Sequence, residues 1–119
     1  MKKYKSIDEF HKVFFSVWGY SVFVIFAKDF SEAAKELRLK HTIKDFEDTE
    51  AATFHTTNLS ESFLFFRPKR HVKVSTIAHE CWHVVHRMLD YSGAVLDNET
   101  VAYHLGFLVG AVCKLAGKK

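Results

Sequence analysis

The sequence predicts an α+β fold, a small mixed or antiparallel sheet of about three strands packed on two long consecutive helices near the carboxyl end. Three observations carry this expectation. The runs Trp18–Ala27, Glu50–Thr57 and Ser62–Arg67 are strand-length and crowded with β-branched and aromatic residues. The stretches Val74–Tyr91 and Asn98–Ala116 instead repeat apolar residues at helical spacing. With 119 residues and 48% hydrophobic content, the chain suffices for one core and is too short for two ordinary domains. A single domain over residues 1–119 is therefore expected.

The elements follow in order. Ser6 and Glu9 read as a capping box, and Ile7, Phe10, Phe14 and Val17 recur at helical spacing, which predicts a first helix over Ser6–Val17. Trp18–Ala27 is apolar on both faces, as a central strand requires. Asp29 with Glu32 offers a second capping box, opening a short helix through about Leu39, and the polar residues 40–48 read as a connection. Glu50–Thr57 and Ser62–Arg67 flank Asn58-Leu59-Ser60-Glu61 as the arms of a hairpin, ended by Pro68. Gly93 stands at the C-cap of the long helix that follows, and Asn98 is placed to cap the last one.

Composition excludes several classes. A formal charge of +3 is too mild for a nucleic-acid footprint, although Arg67, Lys69, Arg70 and Lys73 form a local basic stretch. The apolar run Val101–Leu115 is interrupted by His104 and Lys114 and is shorter than the ~20 residues a membrane span needs. Only two cysteines occur, Cys81 and Cys113; the expectation is buried free thiols in a reducing, cytoplasmic setting. The amino terminus is charged, with no apolar leader segment.

The chemistry concentrates in His79-Glu80-Cys81-Trp82-His83. Two histidines four residues apart lie one turn apart on a helical face and can bite a single zinc. Glu80 is rotated about 100° from His79, where it flanks the metal as a base. On the helical wheel His79, Glu80, His83, His86, Arg87 and Asp90 share one half, while Ile77, Cys81, Val84, Val85, Met88 and Leu89 share the other. A zinc site needs a third ligand. Glu99 opens the last helix and heads a stripe with Ala102, Tyr103, Gly106 and Gly110, whose small residues suit close packing of that face on the histidine helix. Asp97, two residues earlier, is a rival oxygen ligand.

The pattern H-E-x-x-H, fifteen residues, then E-x-x-A-Y resembles the gluzincin branch of zinc metallopeptidases, in a minimal form that recurs among small phage and prophage proteins. The likeness spans about Ser75 to Gly110. It implies a zincin-like fold with Zn2+ on His79, His83 and Glu99, and Glu80 as the base acting on a water at the zinc. It also implies an edge strand near Ser62–Arg67 that pairs with an extended peptide. Tyr103, one turn past Glu99, would support the site or donate to the oxyanion, ahead of His86 and His104. The implied activity is peptide-bond hydrolysis on a narrow or regulatory protein substrate, in a bacterial host cytoplasm if the chain is phage-encoded. Leu89, six residues past His83, departs from the metzincin pattern and excludes that branch. The alternative is a non-catalytic, zinc-stabilised protein that binds a host factor. The glycine stripe could also serve a homodimer.

Overall fold

The computed structural model describes residues 4–39, 49–56 and 60–118. Its elements are β1 (Glu9–Phe15), β2 (Tyr20–Phe26), α1 (Phe30–Glu36), β3 (Ala51–His55), β4 (Glu61–Phe66), α2 (Val74–Tyr91) and α3 (Asn98–Leu115), with a short 3-10 turn at Lys69–His71 before α2. The expected connection at residues 40–48 and the hairpin tip at Asn58 and Leu59 lie outside the described residues.

The fold is α+β, with a four-stranded mixed sheet in the order β1-β2-β4-β3. β1 is the correction to the expected first helix. Glu9 to Phe14 alternate between partly buried and exposed positions, Phe15 is buried, and the segment pairs antiparallel with β2 from Glu9↔Phe26 to Phe15↔Tyr20. The apolar positions Phe10 and Phe14 are four apart, a spacing that fits a strand face as well as a helical one, and pairing with β2 decides between them. No capping box forms, because Ser6 donates to the Glu36 carboxylate at the end of α1. Trp18 and Gly19 fall in the turn into β2, where Gly19 takes a φ of 60°.

A second correction concerns the hairpin. β3 and β4 do pair antiparallel, from Ala51↔Phe66 to His55↔Ser62. On its other side, however, β4 pairs parallel with β2, from Ser21↔Glu61 to Phe26↔Phe66. The strand near Ser62–Arg67 is thus interior, and β1 and β3 form the edges.

The sheet is the middle of three layers. Phe23, Ile25, Phe63 and Phe65 face α1, packing with Phe30, Ala33 and Ala34. Tyr20, Val22, Val24, Leu64 and Phe66 face the opposite side, against Ile77, Cys81, Val84, Val85 and Met88 of α2 and Leu108 and Val112 of α3. Asp29 caps α1, accepting from the Glu32 backbone N–H. α2 closes with Gly93 at a φ of 72° and the Ala94 N–H returned to the Leu89 carbonyl, a left-handed cap that a residue with a Cβ would strain. No helix among the described residues is long and apolar enough to cross a membrane.

Candidate metal centre

α2 divides as its wheel predicts except at Glu80, which the wheel placed with the histidines and which is buried. Ile77, Cys81, Val84, Val85, Met88 and Leu89 are buried in the core, while His79 and His83 are exposed on the opposite face. Their Nε2 atoms converge to 3.3 Å, with the rings nearly perpendicular. Two nitrogens at the ~2.0–2.1 Å zinc distance, separated by a tetrahedral angle, lie about 3.3–3.4 Å apart. The spacing is long for a hydrogen bond between two ring nitrogens and right for joint ligation of one ion.

Glu80 lies beside this pair. Among the described residues it is one of two buried polar or charged side chains, with Oε2 3.7 Å from His79 Nε2. Its other oxygen, Oε1, accepts from the Thr53 hydroxyl at 2.6 Å. A carboxylate held this closely by a hydroxyl is fixed in direction, with one oxygen left toward the histidines. Thr53 was not visible as a site residue in the sequence, since nothing in a Thr-rich strand marks which hydroxyl meets α2.

β3 and α2 run side by side in step. Thr53 meets Glu80, and three residues later the Thr56 carbonyl accepts from Arg87 at 3.1 Å. Three strand residues advance about 10 Å and seven helical residues about 10.5 Å, so the two elements stay level over this length. Thr49, Glu50 and Ala51 then join Ser75, Thr76, His79 and Glu80 around a cleft of 380 Å³. A roomier cleft of 790 Å³ opens at the carboxyl ends of β2 and β4, but its charges answer one another: Lys69 pairs with Glu9 at 3.0 Å, and Arg67 donates to the Thr49 and Lys28 carbonyls.

The remaining sequence-derived residues are distributed as follows. Glu99 is exposed in the first turn of α3. Among the described residues, no group of three or more His, Cys, Asp and Glu side chains is arranged to hold a metal ion, so His79, His83 and Glu99 do not form one cluster. The close-packing argument for the Glu99 stripe is corrected: Ala102, Tyr103, Gly106 and Gly110 are exposed, and a Cβ on either glycine would meet nothing within 4 Å. The face of α3 that packs carries Leu108 and Val112 instead, because larger side chains bury more apolar area than glycine can. Asp97, and not Asn98, caps α3. Its carboxylate accepts from the Thr100 backbone N–H at 2.7 Å and the Thr100 hydroxyl at 3.0 Å, which hold it below the usual carboxylate range.

Tyr103 is 79% exposed and lines a separate groove with Phe14, Val17, Trp18 and Phe107. His104 is engaged on both nitrogens, Nδ1 with the Thr100 carbonyl at 2.8 Å and Nε2 with the Trp18 indole N–H at 2.9 Å. His86 lies against the Trp82 ring at 3.9 Å. Cys81 is wholly buried, and burial, with Cys113 and Glu80 nearby, pushes its thiol up to about 12. Both cysteines are free thiols.

Compared with protein-family models, with curated proteins and with solved structures, the chain matches none.

Proposed function

We propose that this protein is a zinc-dependent peptidase of the zincin type, with His79 and His83 as nitrogen ligands and Glu80 as the general base. The observation that carries the reading is the 3.3 Å approach of the two Nε2 atoms beside a buried carboxylate pinned at its far oxygen by Thr53. When bound, zinc supplies a Lewis acid that polarises a carbonyl and acidifies water. Glu80 takes a proton from water at Oε2 while Thr53 holds Oε1, and it returns that proton to the departing amine nitrogen. The water oxygen forms the new bond to the acyl carbon as the C–N bond breaks, so the two products share one water.

Edge strand β3 flanks the cleft and offers main-chain groups to an extended peptide, taking the part the sequence assigned to Ser62–Arg67. Glu99 enters this reading through its gluzincin-like spacing alone. Its service as the oxygen ligand requires the first turn of α3 to draw toward the histidines.

Elemental analysis of the purified protein should find about one zinc per chain. Glu80→Gln should keep that metal and abolish cleavage of a mixed peptide library read by mass spectrometry. A correctly folded protein that takes up no zinc overturns the proposal. Stoichiometric zinc with no cleavage by the wild type favours a zinc-stabilised binding protein instead.

A further inference from the structure

α3 is apolar on every side yet packed on only one. From Val101 to Cys113 it carries no Asp, Glu, Lys or Arg, and its buried residues are Leu108 and Val112. A helix that is hydrophobic all round belongs inside a structure, so the open side of α3 is unpartnered surface. Tyr103 is 79% exposed and Phe107 54%. The patch does not end with the helix: Phe14, 52% exposed, and Val17, 81% exposed, line one groove of 200 Å³ with these two rings. Contiguous exposed apolar surface of this kind marks an interaction site.

The charges of α3 narrow what fits there. Between Asn98 and Leu115 the charged residues are Glu99, in the first turn, and Lys114, in the last. Both are exposed, and among the described residues neither has an ion-pair partner. At 100° per residue Glu99, Tyr103, Gly106, Phe107, Gly110 and Lys114 fall within an arc of about 100°, so the two charges bracket the exposed rings along one stripe. When a second copy of α3 lies antiparallel, about a two-fold axis passing between Gly106 and Phe107, Glu99 comes level with the partner's Lys114. The same register sets Tyr103 across from the partner's Gly110, and Phe107 across from the partner's Gly106. Each exposed ring thus meets a residue without a side chain, and each charge meets its opposite. A parallel pair would instead set Tyr103 on Tyr103 and Glu99 on Glu99.

We infer that the exposed face of α3, with Phe14 and Val17 at its rim, is a homodimer interface in which two α3 helices pair antiparallel across a two-fold axis at Gly106 and Phe107. A two-fold contact must be self-complementary, and the order acid, ring, glycine, ring, glycine, base along the stripe is its own complement when reversed. A lipid surface suits the patch less, because interfacial helices border their apolar face with many Lys and Arg, whereas this stripe has one Lys and one Glu. Each protomer contributes on the order of 500 Å² of mostly apolar surface, below the ~800 Å² of a standard stable interface, so association in the micromolar range is expected. The pairing needs neither zinc nor catalysis and stands apart from the peptidase reading. It gives Glu99 a task that requires no movement of α3.

Sedimentation equilibrium of the full chain, from about 1 μM to about 1 mM, should show a monomer–dimer equilibrium. Phe107→Glu should weaken association at least about 100-fold and Gly106→Leu, at a position open in the single chain, at least about 10-fold, both with wild-type circular dichroism. Glu99→Lys or Lys114→Glu alone creates two like-charge contacts per dimer and should weaken it about 10-fold, whereas the double reversal should return to within about threefold of the wild type. A chain still monomeric at about 1 mM overturns the inference, as does a dimer untouched by Phe107→Glu. A double reversal no tighter than either single reversal overturns the antiparallel register and the inference with it. A monomer that binds phosphatidylglycerol vesicles through Phe107 would assign the patch to lipid and overturn it as well.

Discussion

Replacing Thr53 by Val keeps the shape of the side chain and removes the hydroxyl that Glu80 Oε1 accepts from at 2.6 Å. Hydrogen bonds to charged groups contribute roughly 1.5–3 kcal/mol, and Glu80 sits at 9% exposure, so little water is at hand to replace the lost donor. The expected destabilisation is about 2 kcal/mol. At a urea slope of about 1.5 kcal/mol/M that lowers the unfolding midpoint by roughly 1.3 M. Thr53→Ser retains the donor and loses one methyl, so its shift should be under half as large. Under the proposed peptidase reading, Thr53→Val should also lower kcat about 10-fold at unchanged metal content, because Glu80 loses its fixed direction. Equal midpoints for the Val and Ser variants would refute the reasoning, since the hydroxyl would then have no hold on Glu80.

Three further outcomes follow from features of the fold. His55, held down to about 4 in the folded chain and at its ordinary 6.5 when unfolded, contributes stability that is whole above pH 6.5 and is lost as pH falls toward 4. Discounted for partial exposure the loss is roughly 1–2 kcal/mol, and His55→Gln should flatten that limb of a pH-stability curve. Gly106→Ala and Gly110→Ala should each raise stability by about 0.5–1 kcal/mol, since both are helical and open where a Cβ would stand; Gly93→Ala, at a φ of 72°, should lower it by about 1 kcal/mol. A loss at Gly106 in thermal unfolding would restore the close-packed stripe. Under the proposed zinc site, zinc at a hundredfold excess over its Kd should stabilise the protein by about 2.7 kcal/mol, an effect that His79→Ala or His83→Ala each removes and a chelator reverses.

Much of this was legible in the chain. α2 was readable to its ends, because an amphipathic period and a glycine cap agree over Val74–Tyr91. The hairpin arms were readable for the same reason, local pattern and local pairing pointing one way. The register of the histidine pair followed from helical geometry alone. What escaped was set by partners distant in sequence. Glu9–Phe15 became a strand because β2 lies beside it, and Ser62–Phe66 became interior because β2 lies beside that too. Glycine on a wheel suggested packing at Gly106 and Gly110, yet burial followed bulk and chose Leu108 and Val112. Thr53 was hidden as a partner of Glu80 because their contact depends on how β3 runs along α2, a tertiary fact.

The parallel β2–β4 pairing has a kinetic consequence. β1–β2 and β3–β4 are local hairpins that close over short loops, but Ser21 reaches Glu61 across forty residues, and this pairing alone joins the two halves of the sheet. Closing so long a loop before its contacts reward it is the costly event of folding. Substitutions at Val22, Val24 or Leu64 should therefore slow folding, whereas those in α1 should chiefly speed unfolding. Tyr20 stands on one side of that seam and Ser62 and His55 on the other, so the hydrogen-bonded chain of the three assembles only after the halves have met.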